Sequence, residues 1–346
     1  MSAFDEYKRL TEPDKKEKLE IWQTAIGLQD VDGLKPSDYL IETAKQNIDG
    51  KITISDVKEL LNAYYKTKDE KTGGEDHPDL RTEEADKVSA HIAEILAEKT
   101  FKFSPAEFIS IHRRLFTGIY KLAGIIRDYN ISKDEWVLNG DTVFYASADS
   151  IKETLDYDFA VEKKFDYKGF NIKQKVEHIA DFVSGIWQIH PFGEGNTRTA
   201  AVFLIKYLRS MGFTVSNDMF AEHSWYFRNA LVRANFNKHV TGAYPTMEYL
   251  LRFLGNLLLG EKNLLRNRDM RIKAGNDENK VQNKVQNKVQ NDILKIIAER
   301  PDITQRELAE LINKSERSIK TIMTAMQEQN LITRSGSKKT GYWKIL

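Results

Sequence analysis

The chain has 346 residues, 52 Lys or Arg against 51 Asp or Glu, a net charge of +1, 41% hydrophobic residues and no cysteine. That length predicts two or three domains. The near-balance of charge excludes a global field that would draw the molecule to nucleic acid or membrane, so any basic patch must be local. Without cysteine there are no disulfides, no thiol catalysis and no thiolate metal sites, which suits a reducing cytoplasm.

The first 70 residues are charged and helical, and residues 1–20 hold no apolar secretory region. Leu19, Trp22 and Ile26 fall at helical spacing over Glu17–Ile26. Pro36-Ser37 opens a helix through about Asn47, Asp49-Gly50 ends it, and Ser55 is expected to cap a third through Tyr65. Residues 1–75 read as an N-terminal segment, and 72–80 as a linker rich in Gly, Asp and Pro. A core over 80–260 follows, helical by period. Its exception lies within Arg127–Ala146. There Asn139-Gly140 separates Val137-Leu138 from Val143-Phe144-Tyr145, the pattern of a β-hairpin. His112 and His178 sit on helix faces among apolar neighbours and read as packing residues. The longest apolar stretch, 250–259, is broken by Arg252 and Asn256 and is too short for a bilayer, so no membrane partner is expected.

The most informative segment is His190-Pro-Phe-Gly-Glu-Gly-Asn-Thr-Arg198. One helix pattern (Val176, Ile179, Phe182, Val183, Ile186) runs into it and another (Ala200, Phe203, Leu204, Tyr207, Leu208) runs out. Pro191 disfavours helical geometry at His190, so the first helix stops there. Gly193 and Gly195 allow a tight turn, and Asn196 or Thr197 can cap the second helix. The free N–H groups at that helix start suit a phosphate. Glu194 is placed to hold Mg²⁺, Arg198 to reach phosphate oxygens, and His190 to take a proton from a hydroxyl. No Gly-Lys-Ser/Thr follows a glycine-rich loop, so a P-loop is unsupported, as is any lysozyme-like or protease mechanism.

Residues 261–291 read as a charged linker containing Asn279-Lys-Val-Gln in three tandem copies. Val281, Val285 and Val289 make a drifting helical stripe with little burial, fitting a semi-rigid spacer or a weak dimer seam. Residues 292–346 resemble a winged helix: helices at Asp292–Glu299, Thr304–Ile312 and Ser315–Gln329, then wing strands Leu331–Thr333 and Tyr342–Ile345. They carry ten Lys or Arg against seven Asp or Glu. Arg317, Ser318, Lys320 and Thr321 could face a DNA groove, with Lys338 and Lys339 on phosphates. A protein-binding or dimerising winged helix is the alternative.

The nine-residue segment resembles the Fic family signature His-Pro-Phe-x-(Asp/Glu)-Gly-Asn-(Gly/Lys)-Arg. Ile111–Phe116, Ala123–Ser132 and Trp225–Asn235 extend the resemblance over about 180 residues. It implies a mainly α, Fic-fold helical core with a β-hairpin flap, joined to the small α+β winged helix. It also implies transfer of AMP from ATP to a protein Ser, Thr or Tyr hydroxyl, with Mg²⁺ and release of pyrophosphate. By that resemblance His190 is the general base and Glu194 the metal ligand. Gly195 and Asn196 line an anion hole for the α-phosphate, within a nucleotide-binding turn that includes Gly193 and Thr197. Arg198 holds the β-phosphate, and Phe192 anchors the loop in the core. Thr197 stands where Gly or Lys is usual, and Ala201 where many members carry a second Arg for the γ-phosphate. ATP is therefore the expected donor, with UTP, GTP or a nucleotide diphosphate conjugate left open.

In the family the hairpin, here Val137, Leu138, Val143 and Phe144, is a flap that registers the target's backbone; a purely structural hairpin is the other reading. Residues 1–75 resemble the small antitoxin module found with Fic domains. Its inhibitory motif aligns best at Lys45–Gly50, making Asp49 the candidate inhibitory carboxylate, against a plain helix-ending turn. Because Ala201 removes the usual partner, deleting residues 1–70 is expected to change activity only modestly. Partners are then a protein substrate, which includes the chain itself, DNA through 292–346, and a second copy of the chain. The rival class is a winged-helix transcriptional regulator whose Fic part senses nucleotide.

Overall fold

The computed structural model describes residues 4, 7, 12–72, 79–215, 218–237, 244–272, 290, 292–312, 316–328, 331–335 and 341–345. The chain divides into two units, Met1–Ile272 and Lys273–Leu346. Both are built mainly from helices, as the periodicities predict. Among the described residues no helix is long and apolar enough to cross a membrane.

The first unit contains α1 (Pro13–Gly27), a 3-10 helix (Leu28–Asp32), α2 (Asp38–Ile48), α3 (Ile54–Thr72), α4 (Asp79–Ala97), α5 (Pro105–Phe116), α6 (Ile151–Lys164), α7 (Ile172–Ile189), α8 (Asn196–Ser210), α9 (Asp218–Asn235), α10 (Glu248–Leu259) and α11 (Asn267–Met270). At its centre lies α8, buried on every face from Asn196 to Leu208. Such a helix needs partners all round, and α4, α5 and α7 supply them. Even Lys206 is buried, its ammonium donating to Ile95 O and Glu98 O at the end of α4, where a cation satisfies orphan carbonyls. Helix α7 starts on a reciprocal capping box between Asn171 and Gln174, and turns Val176, Ile179, Val183 and Ile186 inward as predicted.

The N-terminal helices share this core. Leu19, Trp22, Ala25 and Leu28 are buried in the same cluster as Phe220 and Phe227, with α1 against α4 and α9. A Cβ on Gly27 would lie 2.4 Å from Ala221 Cα, so the two helices meet backbone to backbone there. Buried Asp86 on α4 holds the segment in place by accepting from the amide and hydroxyl of Ser37, the N-cap of α2, and from the Tyr65 hydroxyl. The third helix differs from expectation. It begins at Ile54, one residue before Ser55, because Thr53 and Asp56 exchange capping hydrogen bonds. The expected linker falls largely on 73–78, outside the described residues.

The expected hairpin is also corrected. Asn139 (φ 56°) and Gly140 (φ 87°) do make the left-handed turn that Asn-Gly favours. No ladder grows from it: Glu135 and Asp141 form a single antiparallel bridge, and Trp136–Leu138 is a 3-10 helix. Val137, Leu138 and Val143 are drawn into the core, leaving Phe144 exposed at 76%. Residues 261–272, read as spacer, instead fold against this turn. Ile272 N donates to Val137 O at 2.9 Å, and Asn139 Nδ2 to Ile272 O at 2.7 Å. The Asn-Lys-Val-Gln repeats lie outside the described residues except Gln290.

The second unit has α12 (292–299), α13 (Gln305–Leu311), α14 (Glu316–Glu328) and antiparallel strands β1 (Ile332–Ser335) and β2 (Tyr342–Ile345). Thr304 and Glu307 form a capping box at the start of α13. Ile293, Ile297, Leu308, Ile319, Met323 and Trp343 make its own core, and the Trp343 indole donates to Ile303 O at 3.2 Å. Helices and wing strands are where the sequence places them.

Candidate active site

His190 ends α7 in the left-handed region (φ 50°, ψ 59°), since Pro191 denies it the helical one. The ring is buried, 4.2 Å from the Tyr145 ring and 5.1 Å from Trp187. Nδ1 lies 3.1 Å from Trp187 O. A carbonyl only accepts, so Nδ1 carries the hydrogen and Nε2 is the basic nitrogen. Burial holds the imidazole well below its ordinary range, helped by the nearby cations Lys133, Arg228 and Arg127. The ring is therefore neutral at physiological pH.

The next residues turn sharply. A Cβ on Gly193 would sit 2.6 Å from the Tyr129 hydroxyl, and one on Gly195 would sit 2.3 Å from the Phe116 ring. Gly195 (φ 74°) is the N-cap of α8 and gives no side-chain cap. The expected capping by Asn196 or Thr197 is not what occurs. Asn196 reaches back instead, Nδ2 to Phe192 O at 2.7 Å and Oδ1 from Phe192 N at 3.0 Å, while Thr197 Oγ1 accepts from the Trp187 indole at 3.0 Å. Both side chains brace the turn. Their amides begin α8, where first-turn N–H groups have no partner within the helix, so an anion could be met by backbone rather than by the Asn196 amide group.

His112 has more than a packing role. Its ring stacks on buried Phe192 at 3.6 Å. Nδ1 accepts from Gly124 N at 2.8 Å, so Nε2 donates to Glu194 O at 3.0 Å. Burial pushes its pKa down to about 4, which keeps the ring neutral. His178 likewise does more than pack, lying 2.6 Å from a carboxylate oxygen of buried Glu162.

Glu194 points outward, 64% exposed, and pairs with Lys133 at 3.1 Å. One accessible carboxylate fits Mg²⁺, which usually takes one or two and fills the rest with phosphate and water. Among the described residues no cluster of three His, Cys, Asp or Glu could hold a metal unaided.

Arg198 is 1% exposed; both terminal nitrogens are hydrogen-bonded, while Nε has an ion-pair neighbour but no hydrogen-bond partner. Nε lies 2.8 Å from Asp32 Oδ2, one terminal nitrogen donates to Glu84 at 2.6 Å and Tyr120 at 3.0 Å, and the other donates to Gln29 at 3.0 Å. The Phe116 ring covers the guanidinium at 4.8 Å. Asp49 is not among these partners; it pairs with Lys51 at 2.9 Å at the end of α2. The N-terminal carboxylate on the motif arginine is thus Asp32, seventeen residues upstream of the expected one. Ala201 is buried in α8. Sequence reasoning also missed Gln29, Glu84 and Tyr120. They lie far from the signature in sequence and carry no motif, so only the fold brings them together.

At the expected flap, Tyr145 packs on His190 and its hydroxyl reaches Glu135 at 3.3 Å; Glu135 in turn pairs with Arg228 at 2.7 Å. In the second unit Arg317, Ser318, Lys320 and Thr321 lie on α14, where Lys320 is exposed. The other three side chains, and Lys338 and Lys339, fall outside the described residues.

Residues 102–208 match the Fic/DOC family model, and residues 286–333 match a winged helix-turn-helix DNA-binding model. The protein adenylyltransferase VbhT of Bartonella schoenbuchensis is 26% identical over 117 residues, 34% of this chain and 23% of that protein. The chain thus spans under a quarter of that relative's length. Similar solved structures are N-terminal Fic domains of VirB-translocated effectors. One, from Bartonella sp. AR 15-3, is 19% identical over 52% of this chain and 82% of that one, with a TM-score of 0.42. Another, from Bartonella sp. 1-1C, is 20% identical over 52% and 85%, with a TM-score of 0.41. The chain carries a Fic/DOC-family domain followed by a winged helix-turn-helix domain.

Proposed function

We propose that the first unit transfers AMP from ATP to a hydroxyl of a protein substrate. The observation that carries this reading is a buried, neutral imidazole with Nε2 as its base, one turn before the amides that open α8. The α-phosphate would rest on those amides. His190 Nε2 would take the proton of the incoming Ser, Thr or Tyr hydroxyl as its oxygen bonds to the α-phosphorus. The bond to the β-phosphate oxygen breaks, and pyrophosphate leaves. Glu194 would hold Mg²⁺, which supplies charge neutralisation on the phosphates. His112, through Glu194 O, keeps the metal-binding residue's backbone in place.

Arg198 would meet the β-phosphate only after giving up existing partners. Asp32 and Gln29 belong to the N-terminal segment, so its docked position competes with the nucleotide for the same guanidinium. Inhibition by residues 1–75 therefore runs through Asp32 rather than Asp49, and cutting the segment should raise activity more than the sequence suggests. The second unit, matched to a winged helix-turn-helix DNA-binding model, favours DNA as a further partner; a regulator that senses nucleotide is the second reading. Incubating the full chain and a cell lysate with α-labelled ATP, UTP or GTP and Mg²⁺ tests the first. Label on protein with stoichiometric pyrophosphate supports it. Nucleotide binding without any protein labelling would favour the regulator.

A further inference from the structure

Arg127 is buried, 3% exposed, yet among the described residues no carboxylate pairs with it. Its partners are carbonyls. Nε donates to His190 O at 2.8 Å, and one terminal nitrogen donates to Ala146 O at 2.6 Å and Ile189 O at 3.3 Å. The other donates to Tyr129 O at 2.6 Å. Its own amide donates to Pro191 O at 2.9 Å. One residue therefore holds three consecutive carbonyls, 189 to 191, across the left-handed turn that carries the base. It also holds Tyr129 and Ala146, which bracket the segment containing the Asn139-Gly140 turn and Tyr145.

Each feature has a physical reason. The last carbonyls of α7 lack helical partners, and the helix end favours a cation. Carbonyls arriving from several directions need donors that diverge in a plane. A guanidinium provides them, whereas an ammonium concentrates three donors on one atom. Tyr145 directly precedes Ala146 in the chain and packs on the His190 ring, so fixing Ala146 against His190 also fixes the wall of the base.

We propose that Arg127 is a positioning residue for transfer, setting the His190 ring in register with the flap segment 130–146. This rests on the reading of His190 as the base. The test compares wild-type full chain with Arg127→Lys and Arg127→Met. Thermal melting, nucleotide binding, transfer kinetics and the His190 imidazole NMR signal, assigned through His190→Ala, are all followed. Both variants should lose a hundredfold or more in kcat, with KM for ATP within threefold. Lys should rescue no more than tenfold over Met. Independently of turnover, the His190 signal should move away from its Tyr145- and Trp187-shifted position. A folded Arg127→Lys variant with wild-type kcat and an unmoved imidazole signal overturns the proposal. So does loss of cooperative melting in both variants, which would make Arg127 a folding residue only. If wild type transfers nothing while the imidazole signal moves as expected, the transfer reading fails and the positioning stands.

Discussion

The two ends of the His190–Arg198 turn are in opposite states. At the His190 end the imidazole is neutral, its tautomer fixed by Trp187 O and its ring walled by Tyr145. At the Arg198 end the cation expected on a phosphate is already held by Asp32, Glu84, Gln29 and Tyr120. A charge-assisted bond to a carboxylate is among the stronger kinds in proteins, and a buried guanidinium cannot be left without a partner. On the proposed function, the contrast means that the chemistry is ready while nucleotide access is restrained. Control would then act on binding of the phosphate tail rather than on the base.

The largest test breaks the ready end. His190→Ala should lower transfer by about 10²–10⁴-fold, with ATP affinity within a few-fold of wild type, measured by calorimetry. Transfer within tenfold of wild type would remove His190 from the role of base. The restrained end is tested next. Asp32→Ala leaves Glu84 on Arg198, so the buried charge keeps one carboxylate. It should raise transfer tenfold or more at low ATP, mostly through KM. Asp49→Ala, a surface change beside Lys51, should alter transfer less than twofold. Equal rates in wild type and Asp32→Ala would make the cluster around Arg198 a structural strut.

A pH series sharpens the same comparison. His190 is held well below the ordinary imidazole range, and the proposed reaction needs the neutral ring. Transfer should be flat from pH 8 to below 6.5, falling only as pH drops through the folded-state pKa. An acid limb at or above 6.5 would mean that the ring is solvated. Stability has a matching sign. His91, His112 and His190 all have folded-state pKa values below the ordinary one, so the unfolded chain binds more protons between the two values. Their contribution is intact above about 6.5 and is lost as pH falls toward the folded values, near 4 for His112. Thermal melting at pH 7.5 and pH 5 should show the lower Tm at pH 5.

Helix α7, the tight turn and α8 were readable because their signals are local: apolar spacing, Pro191, two glycines and a compact motif. The winged-helix elements were readable for the same reason. Long-range assembly was not. Asp32 ends a five-residue 3-10 helix and reaches Arg198 only because α1 packs on α4 and α9. Periodicity fixes the face a helix buries but not its partner. Lys45–Gly50 is the best-aligned stretch to an inhibitory motif, with Lys45 for its hydroxyl residue and Asp49 for its Glu, yet its place at the end of α2 puts Asp49 beside Lys51. At the expected hairpin the Asn139-Gly140 turn formed, but burial of Val137 and Leu138 overrode strand pairing.

The smallest expected effect concerns the bridge between the flap and the turn. Lys133 Nζ reaches Glu194, with 26% and 64% of the two side chains exposed. Such a pair contributes about 0.2–1 kcal/mol, so competition with Mg²⁺ for the carboxylate should be weak but measurable. Lys133→Ala should tighten Mg²⁺ or Mn²⁺ binding by about 1.4- to fivefold, the equivalent of that energy. Among the cations around His190, Lys133 lowers its pKa most, so its removal should shift the acid limb of transfer upward while leaving its shape unchanged. Both shifts must occur together. Tighter metal binding with an unmoved limb would place Lys133 away from the base in solution. A moved limb with unchanged metal affinity would mean that the Glu194 carboxylate does not meet the metal.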